Sequence, residues 1–142
     1  MNPDIKIQEG LSGLTFRCTA ETVRAVYGEP DEMEELDNPC DGSLDSIVWS
    51  YERHGLNFFF DATEMEPILC TIESDSAETS LFGKKIFRLR QAEIKQLMVT
   101  NGYQEPEEDD ETWGEHRMTF DDAQVDFYFA GGDLTLVSWS CY

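Results

Sequence analysis

The amino-acid sequence predicts an α+β fold in which two αβββ repeats form a mostly antiparallel sheet with the helices packed on one face. Three observations predict this class. The length of 142 residues fits one domain, 40% of the residues are hydrophobic with nine Phe among them, and one motif occurs twice. We therefore expect a single domain over residues 1–142, with the first repeat at residues 1–78 and the second at residues 79–142.

The repeated motif reads Y-x-E-P-acid-E and occurs at residues 27–32 and 103–108. Residues 51–64 then align with residues 120–133 without a gap. Because the apolar and aromatic positions recur in the same order after the same motif, the alignment indicates a duplicated unit. The last matched positions pair residues 69–72 with residues 136–139.

A helix is expected at the start of each repeat. The first begins at the N-cap Thr19 and ends at Gly28, and Pro30 prevents its continuation. The second covers about residues 90–101, with apolar side chains at helical spacing, and ends at Asn101-Gly102. Each helix therefore has one apolar stripe with which to cover a sheet.

Three strands are expected after each helix, because apolar and polar residues alternate there with a period of two. An edge strand is also expected at residues 84–89 and another at residues 5–7. The strands of the repeats are predicted at residues 47–52, 56–61 and 68–72 in the first half and at residues 116–120, 124–129 and 134–141 in the second.

Three segments of the first half resemble a known module. A helix ends in G-x-P at residues 28–30, a W-x-Y strand follows at residues 49–51, and an L-x-F-x-F strand occupies residues 56–60. This pattern resembles the SmpA/OmlA-type module, and its tandem occurrence resembles the β-lactamase-inhibitor-protein architecture, in which two such units form one curved sheet. The resemblance implies a protein that acts by binding other proteins rather than by catalysis.

The N-terminal sequence and the cysteines bear on location. The chain shows neither the signal peptide and lipid-attachment cysteine of outer-membrane lipoproteins nor a secretory leader, so we expect a cytoplasmic protein. Cys18, Cys40, Cys70 and Cys141 form no C-x-x-C pair, which favours reduced thiols. Small acidic α+β proteins of this kind are similar, in size and charge, to bacterial immunity proteins that neutralise toxins inside the producing cell.

Charge restricts the partners of this protein. The chain has 30 Asp and Glu residues against 10 Lys and Arg, a net charge of −20 at pH 7. Such a chain repels nucleic-acid phosphates and anionic membranes, so we predict neither as a partner and favour a basic protein. Half of the acids, 15 of 30, lie in residues 29–45 and 105–115, which we predict to be two solvated loops. The basic cluster at residues 84–95 is expected to lie beside them.

The predicted binding surface lies on the sheet face that the helices leave open. Phe59 and Tyr128 point to that face in matching strands, together with Asn57 and Asp126. Exposed aromatic residues bordered by carboxylates are typical of a protein-binding surface. The acidic loops contribute the remaining candidate residues, which are Glu29, Asp31, Glu32, Glu105, Glu107, Glu108, Asp109 and Asp110.

The sequence offers little for catalysis or for metal binding. It contains two histidines, His54 and His116, and none of the common catalytic or phosphate-binding motifs. Residues 37–48 begin like an EF-hand loop, but Pro39 replaces a ligand and Val48 replaces the final Glu. We therefore predict no catalytic residue, no bound metal and no cofactor.

The leading hypothesis is a non-enzymatic protein-binding module with a basic partner, and an immunity or inhibitor role is its most concrete form. One alternative is an acidic structural or housekeeping domain whose charge serves solubility and which forms a homodimer by packing sheet to sheet. Another is an enzyme with a carboxylate-based or metal-dependent site.

Overall fold

The computed structural model describes residues 2–110 and 114–141, and its main feature is an eight-stranded antiparallel sheet. The protein is mostly β, with 46% of strand and 18% of helix. The predicted α+β fold of two αβββ repeats with helices packed on one face is therefore wrong. In the described residues the α-helices are α1, Ala20–Tyr27, and α2, Gln91–Thr100.

Thirteen strands are present in the described ranges, and five of them have only two residues. In chain order they are β1 Ile5–Lys6, β2 Gly10–Leu11, β3 Leu14–Thr15, β4 Glu32–Asp37, β5 Leu44–Tyr51, β6 Leu56–Asp61, β7 Ile68–Ser74, β8 Ser80–Leu81, β9 Lys84–Lys85, β10 Glu107–Asp110, β11 Glu115–Phe120, β12 Val125–Ala130 and β13 Asp133–Ser140. Short 3-10 turns occur at Glu52–His54 and Ile86–Arg88.

The large sheet joins two meanders of four strands each. Its strand order is β10-β11-β12-β13-β7-β6-β5-β4, and all neighbours are antiparallel. The pairing of β7 with β13, called the seam below, connects the meanders and places Trp139 opposite Ile72. The small sheets β1-β2-β3 and β8-β9 are separate from it. β4 and β10 are consequently the two edges of the large sheet.

Both acidic segments contain edge strands, which corrects the prediction of two solvated loops. Six residues of the first segment form β4 and four of the second form β10, and all of them are exposed; residues 111–113 lie outside the described residues. Composition misled the prediction, because Asp and Glu are depleted in strands. At a sheet edge, however, carboxylates stay hydrated, and their charge opposes association with other edges.

The helices are too short to cover the sheet alone. α1 has eight residues and α2 has ten, which gives about 12 and 15 Å at about 1.5 Å per residue. The eight strands span roughly 34 Å at about 4.8 Å per spacing. Short strands and their connections complete the covering layer with Ile5, Leu11, Leu14, Leu81 and Ile86, which belong to the core of the large sheet. Within the described ranges, no helix is long and apolar enough to cross a membrane.

The period-two alternation predicted for β6 and β12 is confirmed. Phe58 and Phe60 of β6 are buried, as are Phe127 and Phe129 of β12, and the side chains between them are half-buried. The core therefore lies on one side of the sheet, beneath a covering layer to which the two helices contribute only in part.

The predicted start of the first helix at the N-cap Thr19 and its predicted end at Gly28 are also confirmed. Thr19 caps α1, since its Oγ1 accepts a hydrogen bond from the N–H of Thr22 at 3.4 Å, and the helix ends before Gly28 at a φ of 80°. The strand predicted over residues 84–89 is shorter than expected. Only Lys84–Lys85 forms a strand, which pairs with β8 and not with the large sheet, and a 3-10 turn follows it.

Candidate functional site

The candidate site is the face of the large sheet that points away from the core, called the open face below. Phe59 and Tyr128 alternate with fully buried phenylalanines, so they project from the open face, where both are half-buried. Asn57 and Asp126 lie two residues earlier on the same strands and share that face. The structure thus places these four predicted residues on one side of one sheet.

The strand register nevertheless separates the two aromatic side chains. Phe59 lies opposite Thr71 of β7, and Tyr128 lies opposite Leu136 of β13. Three strand spacings and four residues along the strands lie between them, which is roughly 20 Å at about 4.8 Å per strand and about 3.3 Å per residue. Phe59 and Tyr128 therefore belong to two patches and not to a single aromatic cluster.

A row of polar side chains, the polar row, crosses the open face between those patches. From edge to edge it contains Glu32, Ser50, Asn57, Glu73, Ser138, Asp126, Thr119 and Glu107. Asn57 Nδ2 donates a hydrogen bond to Glu73 Oε1 at 3.5 Å, and Thr119 Oγ1 donates one to Asp126 Oδ1 at 2.5 Å. Four of the predicted site residues are members of this row.

Glu73 occupies the middle of the polar row, on β7 at the seam, and the sequence did not single it out. Burial raises the pKa of the Glu73 carboxyl above its ordinary value, and the hydrogen bond from Asn57 opposes this shift without cancelling it. Together with Phe59 and Asp61, Glu73 lines a cavity of about 370 Å³ on the open face. This carboxylate is therefore partly desolvated and is the kind of group that a cation stabilises.

Carboxylates outnumber cations on the open face of the described chain. Arg117, opposite Tyr128, is the basic residue that the register places there, and its Nη2 lies 3.2 Å from Asp109 Oδ2. The acidic residues that the register places on the same face include Glu32, Glu34, Asp61, Glu73, Glu107, Asp109, Glu115 and Asp126. The face has a strongly negative potential and favours a cationic ligand.

The same irregularity follows each of the two aromatic residues. The register shifts directly after Phe59 and directly after Tyr128, which leaves Cys70 of β7 without a paired residue on β6 and Thr135 of β13 without one on β12. The side chain of each extra residue donates to the neighbouring aromatic residue's carbonyl, Cys70 Sγ to Phe59 at 3.3 Å and Thr135 Oγ1 to Tyr128 at 3.0 Å. These β-bulges increase the local twist and reorient the aromatic side chains.

The predicted residues of the first acidic segment have different roles. The Glu29 carboxylate lies 2.8 Å from Arg24 Nε, and Asp31 Oδ2 accepts a hydrogen bond from the N–H of Glu52 at 2.7 Å. Both contacts fix the turn that leads into β4. Glu32 lies in β4, and none of the β4 carboxylates forms an ion pair with a described residue.

The second acidic segment is held in place by basic side chains. Lys95, from the basic cluster, has its Nζ 3.4 Å from Glu105 and 3.3 Å from Glu108, which confirms for this residue that the cluster lies beside the acids. Asp109 pairs with Arg117 as described above. Of the predicted residues in this segment, Glu107 forms no ion pair with the described part of the chain.

His116 of β11 bridges two carboxylates of β10. Its Nδ1 lies 2.8 Å from Asp110 Oδ1 and its Nε2 lies 3.1 Å from Glu108 Oε1. The hydrogen bonds with Asp110 and with Glu108 raise the pKa of the His116 imidazole above its ordinary value. Both ring nitrogens can donate only while the imidazole is protonated. We therefore expect the attachment of the β10 edge to depend on pH.

We expect the protein to lose stability as the pH rises above the ordinary histidine pKa of about 6.5. The stabilisation by His116 is complete below the ordinary histidine pKa of about 6.5 and is lost as the pH passes through the raised pKa of the folded state. An NMR titration should give a His116 midpoint above about 6.5. Asp110→Asn should lower the midpoint, and a wild-type midpoint at or below about 6.5 contradicts the prediction.

A comparison of the chain with protein-family models, curated proteins and solved structures finds no match. The resemblance to the SmpA/OmlA-type module and to the β-lactamase-inhibitor-protein architecture therefore stays a prediction. Among the described residues, no group of three or more His, Cys, Asp and Glu side chains is arranged to hold a metal ion. The geometry and charge of the open face are therefore the basis on which a function can be proposed.

Proposed function

We propose that this chain is a non-enzymatic protein-binding module that binds a basic protein through the open face of its large sheet. An immunity or inhibitor role is the most concrete form of this function. The observation that carries the proposal is the excess of carboxylates on that face, centred on the partly desolvated Glu73. The SmpA/OmlA-type resemblance agrees with it, because that resemblance also implies binding of other proteins.

A cationic side chain of the partner would offset the unfavourable position of Glu73. Burial penalises the charged form of the carboxyl, and a lysine or arginine seated beside it supplies the missing counter-charge. Phe59 lines the same cavity as Glu73, and its ring can stack against the incoming cation. The cavity thus combines the two features with which proteins recognise a basic side chain.

A homodimer packed sheet to sheet is disfavoured by the same charges. In a two-fold symmetric dimer the open face would meet a copy of itself. Its excess carboxylates would then lie against like charges in a desolvated interface, which is unfavourable. A basic partner removes this repulsion, whereas a second copy doubles it.

The proposal includes a cytoplasmic location. Cys18, Cys40, Cys70 and Cys141 are free thiols, and Cys40 is exposed. An exposed free thiol persists most readily in a reducing compartment. An immunity protein that acts inside the producing cell would need this location.

The substitution Glu73→Gln should raise stability at neutral pH and weaken partner binding. The amide keeps the shape of the side chain without a desolvated charge, while the partner's cation loses its counter-charge. Glu66→Gln makes the same charge change at an exposed position between β6 and β7 and serves as the matched control. Urea denaturation measures stability, and capture from extracts of the source cells, quantified by mass spectrometry, measures binding.

A supporting result has three parts. Wild type and Glu66→Gln capture the same basic protein at low salt, Glu73→Gln captures it roughly tenfold less well, and high salt releases it. Separate Phe59→Ser and Tyr128→Ser variants then show which patch contacts the partner. Equal capture by wild type, Glu66→Gln and Glu73→Gln would exclude the proposed mode of binding, and so would capture that is insensitive to salt.

A further inference from the structure

The two edges of the large sheet differ in how their charge is balanced. On β10, three of the four carboxylates, those of Glu108, Asp109 and Asp110, lie 2.8 to 3.3 Å from Lys95, His116 or Arg117. On β4, no carboxylate has such a partner in the part of the chain that the structure describes. The four β4 carboxylates belong to Glu32, Glu34, Glu35 and Asp37. The β4 edge therefore still attracts cations from outside the protein, whereas most of the charge on the β10 edge is already paired within it.

β4 also presents its backbone and two apolar side chains to solvent. All six of its residues are exposed, and β5 is its one neighbour among the described strands. Met33 and Leu36 are 60% and 39% exposed, which is unusual for large apolar side chains in this protein. A free strand edge with accessible side chains is what β-strand addition requires, since main-chain hydrogen bonds give affinity and alternate side chains give selectivity.

Charge decides which strand can pair with β4. A second copy of β4 would bring four carboxylates against four carboxylates, and like charges directly opposite each other destabilise a strand pair. A segment with Lys or Arg at alternate positions instead meets Glu32 and Glu34, which point to the open face. Apolar residues between those cations would lie beside Met33 on the other face.

We propose that β4 binds an extended basic segment of the partner as a ninth strand of the large sheet. The inference rests on the proposed function, because it names the segment by which the same basic partner binds. Glu32 ends the polar row at the β4 edge, so the added strand extends that row beyond this edge. Cations on the new strand and a cation at Glu73 would then lie on one continuous surface.

Two synthetic decapeptides of equal charge test the proposal with the full chain. We expect a peptide of five Lys-Val repeats to slow amide hydrogen exchange in β4 in a saturable way. A peptide of five Lys-Pro repeats should not, because proline lacks the N–H that strand pairing needs. Residue-resolved exchange by NMR locates any protection on β4, on β10 or on the open face.

A pair of matched variants tests the choice of edge. Glu34→Lys and Glu107→Lys make the same charge change on the open-face side of the two edge strands, at positions that form no ion pair with a described residue. Glu34→Lys should weaken binding of the Lys-Val peptide about fivefold or more, and Glu107→Lys should leave it within about twofold. Circular dichroism confirms that both variants fold.

Several results would overturn the inference. The first two are equal slowing of amide exchange in β4 by both peptides, and slowing in β10 instead of β4. The third is slow exchange in β4 without peptide at high protein concentration, which would mean that a second copy of the chain binds this edge. If the Lys-Val peptide binds the open face and leaves amide exchange in β4 unchanged, the inference of a ninth strand is wrong, while the proposed function stands. If neither peptide binds and Glu73→Gln captures as well as wild type, both are wrong.

Discussion

Phe127→Ala is expected to lower the free energy of unfolding by about 3–5 kcal/mol. Phe127 is fully buried in β12, with its ring centroid 5.8 Å from that of Phe120 in an edge-to-face contact. Truncation removes this contact and leaves a cavity in a core formed by the sheet and the covering segments. Urea denaturation followed by circular dichroism measures the loss.

Phe59→Ala is the matched control for this prediction. The side chain is also a phenylalanine in the middle of a strand, but it lies half-buried on the open face of β6. Its truncation should cost no more than about 1.5 kcal/mol, because the site faces solvent and leaves no enclosed cavity. Equal losses for the two variants would mean that the open face is covered, and would assign it to the core.

Gly10→Ala is expected to destabilise the protein by about 2–5 kcal/mol. Gly10 has a φ of 137°, a backbone conformation that residues with a side chain rarely adopt. A methyl group there would overlap the carbonyl oxygen of Leu14 and lie 3.1 Å from the backbone nitrogen of Phe16. Strain and overpacking therefore add at the same position.

A spectroscopic signal accompanies that loss of stability. The Gly10 carbonyl accepts a hydrogen bond from Trp139 Nε1 at 2.6 Å, so any displacement of β2 changes the surroundings of a fully buried indole and shifts its fluorescence. Gly132→Ala is the control, with a φ of 90° and no described atom within 4 Å of the added methyl group. A Gly10→Ala variant as stable as Gly132→Ala would contradict the prediction.

The sequence predicted those elements whose local pattern and tertiary setting agree. Strands β6 and β12 alternate cleanly, because one face is buried and the other is not. β4 and β10 were missed, because their residues are poor strand formers and pair only through their position beside β5 and β11. The covering layer was misjudged for a related reason, since short strands such as β2 leave almost no periodic signal.

The site was predicted in part, and the gaps have definite causes. The predicted third strand ended at residue 72, one residue before Glu73, so the central carboxylate of the open face was excluded. The bulges at Cys70 and Thr135 could not be predicted from the alternation of apolar and polar residues, because that pattern assumes regular strand pairing. Cross-strand partners show that residues 69–72 correspond to residues 134–137, which corrects the sequence alignment by two positions.

The seam has a consequence for how the protein folds. Every other pair of neighbours in the large sheet joins strands that follow one another in the chain, whereas β8, β9, α2, β10, β11 and β12 lie between β7 and β13. Local hairpins form quickly, but closing a long loop costs more chain entropy and slows folding. We therefore expect formation of the seam to limit the folding rate. Because Glu73 lies on the seam, the chain would complete its candidate binding surface only in the last step of folding.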